Sequence, residues 1–191
     1  MFAGHMNFRF ILGFVATVAL VVLVAVLVIR GLSGGGRPAD QIDLIDYSKT
    51  QTVMRMIITG PVKADQEHRS VRVTVGRSSN TIEMISGYEG NVIDSRTYPS
   101  NESAYATFLR AIDLQGYTRG DTNPEREDSR GYCPTGLTYT FQIITGSDTV
   151  QSLWTTTCDR GTFRGNARII RTLFREQIPD FGEFVRGTGL S

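Results

Sequence analysis

Arginines near the C-terminus have the spacing with the clearest chemical meaning in this chain. They recur at i, i+4, i+7 and i+11, as Arg164, Arg168, Arg171 and Arg175. On an α-helix this spacing brings the side chains to one face. Guanidiniums match carboxylates and phosphates in shape, and a helix N-terminus after a glycine-containing turn also attracts anions. The pattern predicts a site for an anionic ligand, such as a lipid head group, a cell-wall polyanion or a nucleic acid, with a solvated polar face as the alternative.

Residues with catalytic potential are few, and their settings do not favour catalysis. His68 is the only histidine beyond the N-terminal tail, and the hydrophilic stretch 64–69 around it predicts a solvated loop. The only lysines are Lys49 and Lys63, and no Gly-x-Ser-x-Gly motif occurs, so a serine nucleophile has no obvious base. The segment 161–166 lacks the Gly-Lys-Ser/Thr ending of a P-loop. We therefore predict no catalytic residues and no cofactor.

The segment 119–131 concentrates carboxylates among arginines. Asp121, Asn123 and Glu125 alternate as the ligands of a calcium loop do, but the glycine and the final glutamate of an EF-hand are missing. The chain has only two histidines and no Cys-x-x-Cys pair, which disfavours a zinc site. The segment predicts an exposed charged loop, and we expect no metal.

The chain contains two cysteines, Cys133 and Cys158. An even, minimal number of cysteines is typical of one disulfide in an oxidising compartment when the chain is anchored in a membrane, as the uncharged apolar run at 10–29 predicts for this one. Two buried free thiols, or part of a metal site, are the alternatives. The bridge would clamp the open end of a hairpin, so its predicted role is structural.

Hydrophobic periodicity predicts the elements that position these residues. Alternating or β-branched runs predict strands at 53–58, 71–75, 81–86, 91–98, 137–143 and 150–157. One helix is predicted from an N-cap at Ser100 or Asn101 to Gly116, and another from an N-cap at Asn166 to Pro179. The order predicts an α+β fold: an antiparallel sheet of about five to six strands with two helices packed on one face and one disulfide.

An uncharged apolar run at 10–29 precedes this domain. A helix of that length spans a hydrocarbon core of about 30 Å, so the run predicts a transmembrane helix, with a cleaved signal peptide as the alternative. The predicted organisation is a cytoplasmic tail at 1–9, the membrane helix at 10–29, a glycine-rich linker at 30–39 and an extracytoplasmic α+β domain at 40–191. Positive charges are nearly balanced across the run, with the α-amine and Arg9 before it and Arg30 and Arg37 after it, so this orientation rests on the short tail and the cysteine pair.

Four segments of the C-terminal part carry a family resemblance. They are CPTGLTY at 133–139, LWTTTC at 153–158, GTFRGN at 161–166 and LFREQIPDF at 173–181. Together they resemble small exported single-pass membrane proteins of candidate-phylum bacteria of the Saccharibacteria type. The resemblance implies a cell-surface location and a disulfide, and it implies no activity.

Taken together, these features predict a single-pass membrane protein whose extracytoplasmic domain binds a partner or stabilises the envelope without enzymatic activity. Its expected partners are the lipid bilayer, through residues 10–29, and an anionic envelope ligand or a protein. A subunit of a pilus-like or secretion assembly is the first alternative, and a cell-wall-active enzyme is the second. The formal net charge of +1 does not favour any class of partner.

Overall fold

The computed structural model describes residues 43–190, together with Val18 and Leu20. The chain divides into a unit of residues 1–41 and a unit of residues 42–191, and every element below belongs to the second. The predicted tail, membrane helix and linker lie outside the described residues, apart from Val18 and Leu20, which are helical and exposed. Among the residues that are described, no helix has the length and apolarity needed to span a membrane.

Six antiparallel strands form one sheet in the order β4-β3-β2-β1-β5-β6. Their bounds are β1 Thr52–Thr59, β2 Arg69–Val75, β3 Ser79–Ser86, β4 Asn91–Pro99, β5 Thr138–Thr145 and β6 Asp148–Thr156. Buried and half-buried residues alternate strictly along β1, because successive side chains point to opposite faces of a strand. This sheet confirms the predicted strand number and the antiparallel arrangement.

Two helices supply the second layer. They are α1, Glu102–Leu114, and α2, Ala167–Glu176; a short α3, Phe181–Phe184, follows. Short 3₁₀ helices occur at Leu44–Lys49, Asp65–Glu67 and Pro124–Arg126. The Asn101 side chain accepts a hydrogen bond from the Ala104 amide at 2.9 Å, and that of Asn166 accepts one from the Ile169 amide at 3.2 Å. Both N-caps are therefore confirmed.

One hydrophobic core joins the helices to a single face of the sheet. Its buried members on α1 and α2 are Tyr105, Phe108, Leu109, Ile112, Ile170 and Phe174. The rings of Phe108 and Phe174 meet edge to face with centroids 5.1 Å apart. The Tyr117 hydroxyl lies 3.0 Å from the carbonyl oxygen of Arg55 on β1 and 2.9 Å from that of Gln142 on β5, and its single hydrogen has an acceptor at either, so a polar atom in the core is satisfied. This packing confirms the predicted α+β architecture with both helices on one face.

The opposite face of the sheet carries its charged pairs, together with a few apolar side chains such as Ile57 and Trp154. The Nε of Arg72 on β2 donates to Glu83 on β3 at 2.6 Å, across a directly opposed pair of residues. Partial burial, together with the nearby positive charge of Arg72, lowers the pKa of Arg55 on the neighbouring strand. The sheet therefore presents its apolar face to the helices and its charged face outward.

The prediction that His68 lies in a solvated loop is wrong. His68 is 4% exposed, and its ring stacks on Tyr88 with centroids 4.1 Å apart and planes 13° apart. Its Nδ1 lies 3.3 Å from the carbonyl oxygen of Pro61. The polar residues 65–67 take the solvent side as a single 3₁₀ turn, while the β3–β4 turn carries Tyr88 over the imidazole. A contact between segments distant in sequence buries a residue whose neighbours are hydrophilic.

The side chain of Asp180 links the start of α3 to the edge strand β4. It accepts hydrogen bonds from the Tyr98 hydroxyl and from the Arg96 guanidinium. The bond from Tyr98, followed by the bond and charge of Arg96, lowers the pKa of Asp180 below its usual value. The ionised carboxylate is therefore more favourable in the folded protein than in the unfolded chain.

We expect this link to make the domain sensitive to acid. Because the folded-state pKa of Asp180 is depressed, its contribution is present above the usual aspartate pKa of about 4 and is lost as the pH falls through the folded value. Asp180→Asn should therefore lower stability at neutral pH, and the difference from wild type should shrink as the pH falls. Urea unfolding of both proteins over a pH series measures this, and parallel stability curves would contradict it.

Candidate anion-binding pocket

The chain reverses directly after β6 and runs back along the end of that strand. The Thr156 amide donates to the carbonyl oxygen of Arg160 at 2.8 Å, and the amides of Thr162 and Phe163 both donate to the carbonyl oxygen of Trp154 at 2.9 Å. Phe163 in turn forms a bridge with Gly120. The segment GTFRGN therefore begins as an extra edge segment beside β6 and not as part of a helix.

Two residues of this reversal have unusual backbone conformations. Asp159 has φ 55°, the left-handed region that aspartate tolerates better than most residues. Gly161 has φ 150°, and a Cβ there would lie 2.2 Å from the Trp154 carbonyl oxygen. Only glycine fits so close to the neighbouring backbone. The path of the reversal thus depends on Gly161.

The disulfide between Cys133 and Cys158 is present, as predicted, with Cα atoms 5.9 Å apart. It ties the segment before β5 to the reversal after β6, which is the open end of the predicted hairpin. The chain approaches the bridge closely at Gly136, where a Cβ would lie 2.4 Å from the Cys133 Sγ. The bridge consequently brings the residues that precede Cys133 close to those that follow Cys158.

A pocket of about 230 Å³ opens beside the bridge. Its lining residues are Arg126, Tyr132, Trp154, Asp159, Arg160, Gly161, Thr162 and Arg164. They come from the loop before β5, from the end of β6 and from the reversal after it. Three of the eight are arginines and two are aromatic, so the pocket is basic and partly aromatic.

Trp154 and Tyr132 form the apolar wall of the pocket. Trp154 is 3% exposed, and its indole Nε1–H donates to the carbonyl oxygen of Arg126 at 2.8 Å. The Tyr132 ring lies 5.1 Å from the Trp154 ring and remains 54% exposed. Trp154 therefore holds the loop in place, while Tyr132 offers a half-open ring to a ligand.

The three guanidiniums differ in how far their charge is compensated. Arg126 donates to the carboxylate of Asp121 at 2.8 Å; the hydrogen bond from the Asn123 amide, followed by this one, lowers the pKa of Asp121. Arg164 donates only to backbone carbonyls, with the oxygen of Gly161 at 2.9 Å. Arg160 is exposed, and its guanidinium has no hydrogen-bond or ion-pair partner within residues 43–190.

Arg160 and Arg164 therefore bring to one small pocket two guanidiniums that form no hydrogen bond or ion pair with a carboxylate of the described residues, although the charge of Arg164 also acts on Asp121. Asp159 supplies the one negative charge in the lining, so the lining carries a net positive charge. Guanidiniums donate hydrogen bonds in a planar fork that suits a carboxylate or a phosphate. The pocket can bind a single acidic group while the Tyr132 ring contacts a neighbouring flat or apolar part of the same ligand.

The four predicted anion-binding arginines do not act as one set. The helix α2 begins at Ala167, so Arg164 lies before it and lines the pocket. Arg168 lies in the first turn and is exposed. The guanidiniums of the other two lie over rings, Arg171 4.2 Å from the Tyr139 centroid and Arg175 5.1 Å from that of Phe181. Anion binding by any of the four stays a prediction.

The acidic segment is an exposed loop, as predicted, and its polar groups bind one another. The Asn123 side chain caps the turn Pro124–Arg126, and Asp128 forms an ion pair with Arg130 at 2.6 Å. Hydrogen bonds from the guanidinium and from the amide of Arg130 lower the pKa of Asp128 to about 2. Within the part of the chain that the structure describes, no three acidic, histidine or cysteine side chains are grouped as metal ligands would be.

Sequence patterns did not indicate Tyr132 and Arg160. Neither residue belongs to a motif, but each lies within two positions of a cysteine. Once Cys133 and Cys158 are paired, the neighbours of both cysteines must lie close together, since a disulfide holds its Cα atoms about 6 Å apart. The predicted disulfide was therefore the feature of the sequence from which Tyr132 and Arg160 could have been expected to lie close together.

Fold and site together define a disulfide-clamped α+β domain with an arginine-rich, aromatic-lined pocket at one end of its sheet. No protein-family model matches the chain, and no curated protein has a significant match to it.

Proposed function

We propose that this chain is a membrane-anchored extracytoplasmic binding protein without enzymatic activity, and that its pocket binds an anionic ligand of the cell envelope. The observation that carries the proposal is the pair of guanidiniums of Arg160 and Arg164 beside the half-exposed ring of Tyr132. In this proposal residues 10–29 cross the membrane, the N-terminus is cytoplasmic and the domain at 40–191 lies outside.

Two features support this location. The apolar run is long enough to cross a bilayer as a helix, and the glycine-rich segment after it gives the domain a short tether. A structural disulfide, present here between the chain's two cysteines, persists in oxidising compartments and is rare in the cytoplasm. Both features fit a domain outside the membrane.

An acidic glycan of the envelope suits the pocket better than a nucleic acid does. The chain has a net charge of only +1, whereas nucleic-acid-binding surfaces usually carry an extended basic patch. A cavity of about 230 Å³ accommodates one acidic group with part of a sugar and not a continuous polynucleotide backbone. The face of a sugar ring can pack on Tyr132 while its carboxylate or phosphate binds the arginines.

The test is binding of the full chain, in mild detergent, to two acidic polymers: poly(glycerol phosphate) teichoic acid and polygalacturonate. We expect Arg160→Gln to weaken binding by about 10- to 100-fold, since a charge-assisted hydrogen bond contributes about 1.5–3 kcal/mol. Arg168→Gln is the matched control because Arg168 is also exposed but lies outside the pocket. A preference for one polymer would tell whether phosphate or carboxylate is the preferred group.

Two results would overturn the proposal. One is equal loss of binding in Arg160→Gln and Arg168→Gln. That result would mean that the ligand contacts the exposed face of α2, or that the surface charge in general attracts it. The other is binding to neither polymer by the wild-type chain. Tyr132→Ala gives a second variant, and its binding should weaken while the salt dependence stays unchanged, because it removes a ring contact and no charge.

A further inference from the structure

The two outer strands of the sheet differ in how their free edges are covered. Residues 160–163 pair with the end of β6, and the Gln151 side chain of β6 donates to the carbonyl oxygen of Thr118 at 3.0 Å. The nine residues of β4 are all exposed or half-exposed, and no strand of the described chain pairs with their outer side. A long open edge readily pairs with another strand.

The orientation of the β4 backbone shows which groups are free. The Ser100 amide donates to the carbonyl oxygen of Ser78, toward β3. Because amides alternate between the two sides of a strand, those of Thr97 and Ser95 point away from β3. Pro99 has the same orientation and has no amide hydrogen, so pairing on the outer side ends before it. The free edge therefore centres on Ser95.

We propose that β4 pairs antiparallel with β4 of a second copy of this chain, about a twofold axis at Ser95. Ser95 then lies opposite its own counterpart, and the two residues exchange their outward N–H and C=O groups. Asp94 of each copy lies opposite Arg96 of the other. Ile93, which is 57% exposed, is the extra residue of a β-bulge between Val92 and Asp94, so the regular pairing is confined to residues 94–96.

Charge complementarity selects this register. Asp94 is exposed and has no ion pair or side-chain hydrogen bond within residues 43–190. One terminal nitrogen of Arg96 donates to Asp180 and lies 3.9 Å from the carboxylate of Glu183, and the guanidinium lies over the Phe184 ring. Its remaining N–H donors can donate to a further carboxylate, that of Asp94 in the second copy. A twofold axis at Asp94 or at Arg96 would instead place like charges directly opposite each other, which destabilises a strand pair.

The resulting assembly is closed. A twofold contact of a strand with itself uses the β4 edge of both copies, and residues 160–163 cover the end of β6 at the other side of the sheet. Growth beyond two copies through this surface is therefore blocked. This contact favours a dimer over the pilus-like assembly.

The test is a cysteine introduced on the twofold axis of the full chain in mild detergent. Hydrogen-bonded antiparallel neighbours have Cα atoms about 5.5 Å apart, which lies in the range of disulfides. Under mild oxidation Ser95→Cys should form a covalent dimer on a non-reducing gel. Thr149→Cys is the matched control, since Thr149 is as exposed but lies on β6, and it should stay monomeric.

A charge reversal tests the register. Asp94→Lys in the Ser95→Cys background should abolish the covalent dimer, because lysine would then face Arg96 of the second copy. Asp148→Lys on β6 makes the same charge change and should leave the dimer intact. The proposal is overturned if Ser95→Cys crosslinks no more than Thr149→Cys while keeping the wild-type circular dichroism, or if it crosslinks to a different protein.

Discussion

Replacing Phe174 with alanine is expected to lower the free energy of unfolding by about 3–5 kcal/mol. Phe174 is fully buried, and its ring packs against Phe108 at 5.1 Å and Tyr117 at 5.9 Å. The truncation removes the aromatic contact between α1 and α2 and leaves a cavity that a close-packed core cannot fill. Both helices should therefore lose part of their attachment to the sheet.

Urea unfolding followed by circular dichroism measures the change. Thr172→Ala is the matched control, because Thr172 lies on the same helix but is exposed, and its change should stay within about 0.5 kcal/mol. A loss below about 1 kcal/mol in Phe174→Ala would contradict the packing described for this core.

Removing the disulfide with Cys133→Ala and Cys158→Ala together is expected to cost about 3 kcal/mol of stability. The bridge spans a sequence separation of 25 residues and so restricts the unfolded chain considerably. It also holds Tyr132 near Arg160, which is why affinity for the acidic polymer should fall in the same variant. Dithiothreitol should bring the wild type to the stability of the variant and leave the variant unchanged.

The same cysteine pair tests the proposed location. In intact cells, alkylation before reduction should leave Cys133 and Cys158 unlabelled, and reduction should make both reactive. Two thiols that react without reduction would mean that the bridge does not form in the cell, and would contradict an extracytoplasmic domain.

Equal stability of the double variant and the oxidised wild type would contradict the expected contribution of the disulfide to the free energy of unfolding.

Much of the fold follows from patterns that are local in the sequence. The alternation along β5 predicts a strand with one buried face, and Tyr139, Phe141 and Ile143 are indeed buried. The helices could be located because apolar periodicity and N-caps depend on residues only three or four positions apart. The disulfide was predictable for a different reason, since two cysteines allow one pairing.

The candidate site was only partly predictable. Arg164 was singled out by its spacing, yet its contribution to the pocket comes from the reversal after β6 and not from a helical face. The reversal depends on hydrogen bonds between backbone groups of Trp154, Thr162 and Phe163, and no side-chain pattern encodes those. The four arginines of the predicted helical site therefore have different surroundings. Arg164 lines the pocket, Arg168 is exposed, and the other two lie over aromatic rings.

By itself the sequence determined the strands, the helices with their caps, and the disulfide, because each depends on nearby residues or on a single possible pairing. Tertiary structure alone decided that His68 is buried under Tyr88, that Tyr132 and Arg160 share a pocket, and that β4 keeps a free edge. These features arise where segments distant in sequence meet. Their geometry depends on how the sheet orders its strands, which local propensity does not specify.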